Sequence, residues 1–420
     1  MNRLLSLLSG TVLSAALAAF PAQGQEGNAP ATGAGSTQPS QPVETAAPNA
    51  PNQQPAFEGQ TRAPQPPRTV EVNTEVVAEG LPNLWALEFL PDGRMLVTAK
   101  EGAMHIVSED GEVGPALSGV PEVMSEGQGG LLDVALAPDF ETSAMIYFSY
   151  SEQRDDGNGT SVASARLVAD KEGGGALEEV SVIFRQIPSY DGDKHFGSRL
   201  VFGPNNELYV TVGERSDREP RVQAQELSSG LGKIFRISAG GEALDDNPFV
   251  GQEDALPEIW SLGHRNLQSA TLDGQGRLWT VEHGPKGGDE LNRPEPGENY
   301  GWPEVTYGVE YSGDPVGEGK TQMAETEQPI YYWDPVIAPS GMAYYDADAI
   351  PEWKGTFLVG ALVSQGIVVL HMEDDQVQYE ERVPLDARIR DVKVGPDGAV
   401  YAVTEQRGGG GSTIVRITKG

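Results

Sequence analysis

The chain has 420 residues, with 29 Lys+Arg against 62 Asp+Glu and a formal net charge of −33 at pH 7. That charge repels polyanions and anionic membrane surfaces at long range, which excludes nucleic acid as a partner and points to a neutral or cationic substrate. With no cysteine in the chain, disulfides, thiolate zinc sites, iron–sulfur clusters and thiol-based catalysis are excluded as well.

Residues 1–24, MNRLLSLLSGTVLSAALAAFPAQG, have a single Arg, an apolar run from Leu4 to Phe20 and small residues at the end. This is the pattern of a secretory signal peptide, and the interruptions at Gly10, Thr11 and Ser14 favour a cleaved leader over an uncleaved anchor. A periplasmic or secreted location follows, with no transmembrane segment after cleavage. Residues 25–68 are mostly Pro, Ala, Gln, Gly, Thr and Asn, with Phe57 the one aromatic. Such a composition buries too little apolar surface to offset its ordering entropy, so a disordered linker is expected.

From residue 69 onward the pattern changes to short alternating strands. Six times an apolar strand meets a turn and a second strand follows, in ALEFLPDGRMLVTA, DVALAPDFETSAMIYFSY, RLVFGPNNELYVTVG, SATLDGQGRLWTVEHG, MAYYDADAIPEWKGTFLVGAL and DVKVGPDGAVYAVTE. These are β-hairpin signals, and a recurrence every ~50 to 70 residues predicts one propeller blade per unit. The fold class is therefore all-β: a six-bladed β-propeller with four-stranded antiparallel blades over residues 69–420. Pairing of Thr69–Val77 with Ser412–Gly420 would close the ring and hide its edges.

Propellers bind ligands at one mouth of the central channel, so a site should draw residues from distant segments. Five segments qualify. Gln128 sits among Gly127, Gly129 and Gly130, which allow close backbone approach to a ligand. His195 and Arg199 stand just before a strand, and a neutral imidazole is a natural general base. His264, Arg265 and Asn266 at a strand end offer donors to carboxylates or oxyanions. The stretch TVEHGPKGGDELNRPEPGENYGWPEVTYG holds Glu282, Asp289, Glu290, Glu295, Glu298 and Tyr300 with constrained backbone carbonyls. Those hard oxygen donors suit Ca²⁺. Arg388 and Arg390 alternate on one strand face, which suggests an anion site or a carboxylate partner. Phosphate-loop, dinucleotide-binding, nucleophile-elbow and zincin motifs are absent.

Taken together, GQGGLLDVALAPDF, HFGSRLVFG, EIWSLGHRNLQ, EHGPKGGDELN, NYGWPEVTYGVEYSG, SGMAYY and RIRDVKVGPDG resemble, in the same order, the soluble pyrroloquinoline-quinone (PQQ) sugar dehydrogenases, in particular their periplasmic aldose sugar dehydrogenase branch. The resemblance runs from about Leu81 to Thr418. It implies PQQ beside a Ca²⁺ ion at the channel mouth and His195 as the base that takes the anomeric hydroxyl proton of an aldose. It further implies Gln128, Arg265, Asn266, Tyr311, Ala361, Leu362, Arg388 and Arg390 as cofactor contacts. Gly284 and Pro285 would hold Ca²⁺ through their carbonyls, while Glu290 and Tyr300 would hold a second, structural Ca²⁺. Two positions depart from some relatives: Val363 replaces a Lys, and His283 replaces a Gln. The electron acceptor is unidentified, a quinone or a basic cytochrome fitting the chain's negative charge. Two other readings are a Ca²⁺-dependent lactonase-type hydrolase, which needs side-chain carboxylates at the channel centre, and a non-catalytic binding propeller.

Overall fold

The computed structural model describes residues 41–408 and 410–420; the expected leader and residues 25–40 of the expected linker lie outside them. Six antiparallel sheets follow one another along the chain. Their inner strands are Leu84–Phe89, Leu131–Leu136, Leu200–Phe202, Leu267–Leu272, Pro339–Tyr345 and Arg388–Val394. Each inner strand packs beside the next, and the sixth returns to the first, so the sheets form a closed six-bladed propeller. Five blades have four strands, and the first has three, its outer edge covered by residues 113–117 through the isolated Val107–Val113 bridge and hydrogen bonds from Gly114 N–H to Ile106 O and Leu117 N–H to Met104 O. The ring closes where Val72–Leu81 pairs antiparallel with Ser412–Lys419, as the outermost strand of blade 6.

All six expected turns join the inner strand of a blade to its second strand. In blades 1, 3, 4 and 6 the turn is a tight loop whose last residue, Gly93, Asn206, Gly276 or Gly398, has positive φ. Glycine and asparagine are the residues that adopt that conformation at least cost. These turns all lie on one face. The entrances to the inner strands, and the exits of the second strands, lie on the opposite face by antiparallel geometry.

Blades are joined by apolar packing and by a recurring hydroxyl bond across the blade boundary. Thr98 Oγ1 donates to Leu132 O (2.5 Å), Ser149 Oγ to Ser198 O (2.6 Å), Thr211 Oγ1 to Leu267 O (3.0 Å) and Ser340 Oγ to Ile389 O (2.6 Å). Each gives a buried carbonyl of the neighbouring blade a hydroxyl donor. The channel itself is plugged by Arg199, which pairs with Asp133 (2.8 Å) and Asp391 (3.2 Å) and lies over the Trp85 ring.

Residues 41–68 differ from the disorder expected of them, for they dock on blades 4 and 5. Ala50, Gln60 and Ala63 are buried there, and Thr61 makes a parallel bridge to Tyr332. Composition counts apolar side chains, whereas this segment is held chiefly by hydrogen bonds from its backbone and from Gln60 and Arg62. No described helix is long and apolar enough to cross a membrane.

Candidate active site

A cavity of about 730 Å³ opens at the face bearing the inner-strand entrances. Its wall is built from two kinds of backbone. Gln128, His195, Arg265, Asn266, Ala338, Arg388 and Arg390 come from segments entering inner strands, while Lys100, His283, Gly284, Pro285, Leu362, Val363 and Glu405 come from loops leaving second strands. Register shifts interrupt the inner hairpins of blades 1, 2, 4, 5 and 6 near this end. Such bulges twist the strand and re-aim its side chains toward the cavity.

His195 has φ +50 and is 6% exposed. Its Nδ1 lies 3.1 Å from Glu214 Oε2, and its backbone N–H donates to Gln128 Oε1 at 2.9 Å. A carboxylate on Nδ1 selects the tautomer protonated there, so the lone pair on Nε2 is left for the cavity. Burial holds the imidazole below its usual pKa; Glu214 opposes that shift and Arg265 adds to it. Burial acts to raise Glu214, but His195 and Arg265 outweigh it and keep the carboxyl below its ordinary range. The loop carrying His195 is clamped by the buried Arg215, which donates to Lys194 O (2.9 Å), Asn158 Oδ1 (2.7 Å) and Gly192 O.

Arg265 donates through Nη1 to His283 O (3.0 Å) and Gly284 O (2.7 Å), while its buried Nε has no hydrogen-bond partner. Asn266 Oδ1 accepts from Gly197 N–H at 3.1 Å, which ties blade 4 to the His195 loop. Across the cavity, Arg388 and Arg390 share one carboxylate. Glu405 Oε1 accepts from Arg388 Nη2 at 2.7 Å, and Oε2 accepts from Arg390 Nε at 2.6 Å. Arg390 Nη1 also donates to Gln268 Oε1 (3.0 Å), which lies 3.2 Å from His283 Nε2. His283 is pushed well below its usual pKa, first by burial and then by Arg265, His195 and Arg390, so it is a neutral wall residue. Five cations, Lys100, Arg265, Arg388, Arg390 and Arg407, face three carboxylates, Glu101, Asp289 and Glu405. Burial lifts Asp289 to about 7. The cavity is thus locally positive in a chain of charge −33.

Most of the residues expected from sequence converge on this cavity: His195, Gln128, Arg265, Asn266, Tyr311, Leu362, Arg388, Arg390, Gly284 and Pro285 line it, as do Val363 and His283. Tyr311 is 73% exposed at the rim. Ala361 is not part of the wall; it ends the second strand of blade 5 and is fully buried, and its neighbours Leu362 and Val363 take the wall positions. Arg199 likewise lies off the cavity, in the channel plug.

Glu290 and Tyr300 lie behind the cavity wall rather than on it. Glu290 faces Glu282 across a strand pair, and burial together with the Glu282 and Asp289 charges pushes its carboxyl well above the usual range. Nearby, the buried Asn292 Oδ1 lacks a partner. The Tyr300 ring stacks on His264, whose Nδ1 lies 2.9 Å from Glu282 Oε1. A half-buried carboxylate and an orphaned buried amide oxygen fit a hard cation once backbone carbonyls complete the shell. Among the described residues no three His, Asp or Glu side chains are grouped to hold a metal by themselves.

Glu214 was not evident from sequence, since it follows a strand end, in VGERSD, with no spacing that ties it to His195. Glu405 could have been found by register: counting outward from the GPDG turn with one bulge sets Arg388 opposite Glu405. Trp85, Lys100 and Gln268 carried no sequence signal for the site.

Residues 81–416 match the Glucose / Sorbosone dehydrogenase family. Aldose sugar dehydrogenase YliI of Escherichia coli is 43% identical over 344 residues, which span 80% of this chain and 91% of that protein. The soluble aldose sugar dehydrogenase of Escherichia coli, solved in its apo form, superposes with a TM-score of 0.79 at 40% identity, covering 83% of this chain and 100% of that one. The PQQ-bound form of aldose sugar dehydrogenase from Streptomyces coelicolor superposes at 0.68 with 29% identity, over 83% of this chain and 99% of the other. With a cavity of this chemistry and a match across most of its length, the chain belongs to the Glucose / Sorbosone dehydrogenase family of sugar oxidoreductases.

Proposed function

We propose that the protein oxidises aldoses at the anomeric carbon to lactones, with PQQ in the cavity and Ca²⁺ beside it. The single observation that carries this reading is the pairing of His195 with Glu214 on one wall, opposite Arg388 and Arg390 on the other. When bound, PQQ supplies the acceptor for the hydride that leaves the sugar, and Ca²⁺ supplies Lewis-acid polarisation.

The remaining work falls to the chain. His195 Nε2 removes the proton of the anomeric hydroxyl, and Glu214 stabilises the imidazolium that results. Arg265, whose Nε lies 4.0 Å from Glu214 Oε1, and Asn266 line the part of the cavity where oxyanion character would develop. Arg388, Arg390 and Lys100 give a tricarboxylate a positive wall. Glu405 cancels one of these charges and holds both guanidiniums rigid, which lowers the cost of binding. Gln128 and Tyr311 complete the cofactor's surroundings. The carbonyls of Pro285 and of Gly284, the latter already accepting from Arg265, would hold one Ca²⁺, and Glu290 with the backbone of Tyr300 would hold a second. His283 and Val363 leave the sugar-facing wall neutral.

A lactonase reading is disfavoured because the carboxylates nearest the channel centre, Asp133 and Asp391, are taken by Arg199. The leader supports export, and the acidic surface favours a basic redox partner or a quinone as electron acceptor. Purified protein supplied with PQQ and Ca²⁺ should reduce a dye only when an aldose is present, with the cofactor's absorption bleaching in step. A folded protein that takes up no PQQ would sink the proposal.

A further inference from the structure

The docked N-terminal segment reaches the back of the candidate site. The Gly284–Asp289 loop lies between two layers that this segment holds together. On one side, Gly288 N–H donates to Trp333 O at 2.9 Å, and a Cβ at Gly287 would come within 2.9 Å of Asp334 Oδ1. On the other, Lys286 exchanges backbone hydrogen bonds of 3.0 Å with Val309, and a Cβ at Gly308 would sit 2.3 Å from Gly287 O. The loop is therefore wedged between Trp333–Asp334 and Tyr307–Val309, with no room for a side chain at Gly287 or Gly288.

Both walls of that wedge are gripped from residues 49–62. Asn49 and Ala50 donate their backbone N–H groups to the Asp334 carboxylate (2.6 and 2.9 Å), and Arg62 Nη2 donates to Asp334 O (2.8 Å). Gln60 Oε1 accepts from the Tyr307 hydroxyl (3.1 Å), its Nε2 donates to Pro329 O (2.9 Å), and its carbonyl accepts from Tyr332 N–H (2.8 Å). Gln60 is fully buried although it is polar. Its Oε1 also accepts from Ala56 N–H (2.7 Å), and the Tyr307 hydroxyl lies nearer Gln328 Oε1 (2.6 Å), so the buried amide braces its own loop as well as the Tyr307–Tyr332 side of the wedge. Tyr307 stacks on Tyr332 with ring centroids 4.0 Å apart, so the two walls also touch each other through the ring that Gln60 holds.

We propose that residues 49–62 are a clamp belonging to the catalytic domain, which fixes the Gly284–Asp289 loop from behind through Gln60 and Asp334. Their role is positioning: they touch the loop's supports, and the loop presents Gly284, Pro285 and Asp289 to the cavity. The consequence for Ca²⁺ rests on the proposed function, whereas the mechanical role does not.

The test uses the full exported chain and a variant carrying Ala50→Pro, Gln60→Ala and Arg62→Ala, followed by hydrogen–deuterium exchange without added cofactor. Amides of Gly284, Lys286 and Gly288 should exchange at least ~10-fold faster, together with residues 41–64, while blade 2 stays as protected as in the parent. Titration with Ca²⁺ alone should show affinity weakened in parallel. Release of residues 41–64 with unchanged exchange at 284–289 would overturn the clamp. So would continued protection of residues 41–64 in the variant, because the named contacts would then not be what holds them. If the triple variant fails to fold, Arg62→Ala alone removes the bond to Asp334 O and is read by the same exchange criterion. A parent protein that binds no PQQ would remove the proposed function and leave the exchange result standing.

Discussion

His195 Nδ1 lies 3.1 Å from Oε2 of Glu214, a carboxylate fully removed from solvent at the end of a blade 3 strand. That contact fixes both the ring orientation and the tautomer, and it sets the imidazole's basicity against the opposing effect of burial. His195→Ala should therefore cut turnover by at least ~10²-fold with little change in thermal unfolding, the usual worth of a positioned general base. Turnover within a few-fold of the parent would remove the assignment.

The pH profile follows from the same pair. Because burial holds His195 below its ordinary 6.5, the base stays deprotonated at lower pH than a free imidazole, and the acid limb of kcat/KM should lie below pH 6.5. Glu214 acts to raise His195, so Glu214→Gln should move that limb further down while lowering kcat. The folded pKa is below the unfolded one, so the unfolded chain takes up its proton first, and this group's contribution to stability is lost as pH falls from 6.5 through the folded pKa. A Glu214→Gln profile shifted toward alkali would contradict the assigned geometry.

Arg388 and Arg390 predict a cofactor effect separable from chemistry. Arg390→Ala should weaken PQQ binding by about 10-fold or more, the scale of a lost charge-assisted hydrogen bond. Arg390→Lys should recover only part of it, because one ammonium cannot bridge Glu405 and Gln268 as the guanidinium does. Equilibrium dialysis of PQQ against each variant checks this without turnover.

Metal removal gives a stability readout. Exhaustive chelation should lower the melting temperature and Ca²⁺ should restore it, by linkage to the folded state. Glu290→Gln should abolish most of that response, since Glu290 is the half-buried carboxylate behind the wall that faces Glu282. An unchanged calcium response in Glu290→Gln would place the stabilising ion elsewhere.

Arg199 predicts the opposite balance, stability without chemistry. Arg199→Ala leaves Asp133 and Asp391 buried and uncompensated, which should cost about 3–5 kcal/mol. Denaturant unfolding measures it; because Arg199 lies over Trp85 and donates to Gln268 O, both of which line the cavity, the loss should fall first on stability, with His195 still paired to Glu214.

The sequence by itself determined the repeat, the strand–turn chemistry and the closing strand pair, because each is written in local alternation and in turn residues such as Gly93 and Asn206. It also marked Gln128, His195, Arg265, Asn266, Arg388 and Arg390, since unusual polar or glycine-rich segments at strand entrances stand out from alternating strands, while Tyr311 and Leu362 were implied only by the family resemblance. Only the tertiary structure decided which of them meet. Glu214 joined His195 through packing around blade 3 that no spacing in VGERSD expresses, whereas the pairing of Glu405 with two arginines follows hairpin register once the bulge is known. Ala361 fell behind the wall and Arg199 into the channel because a bulge or a single step along a strand reverses the direction of a side chain. The docking of residues 41–68 was hidden for a related reason: it depends on backbone and amide groups meeting Asp334 and Tyr307, more than 240 positions away for the Gln60–Tyr307 pair, and composition carries no record of such partners.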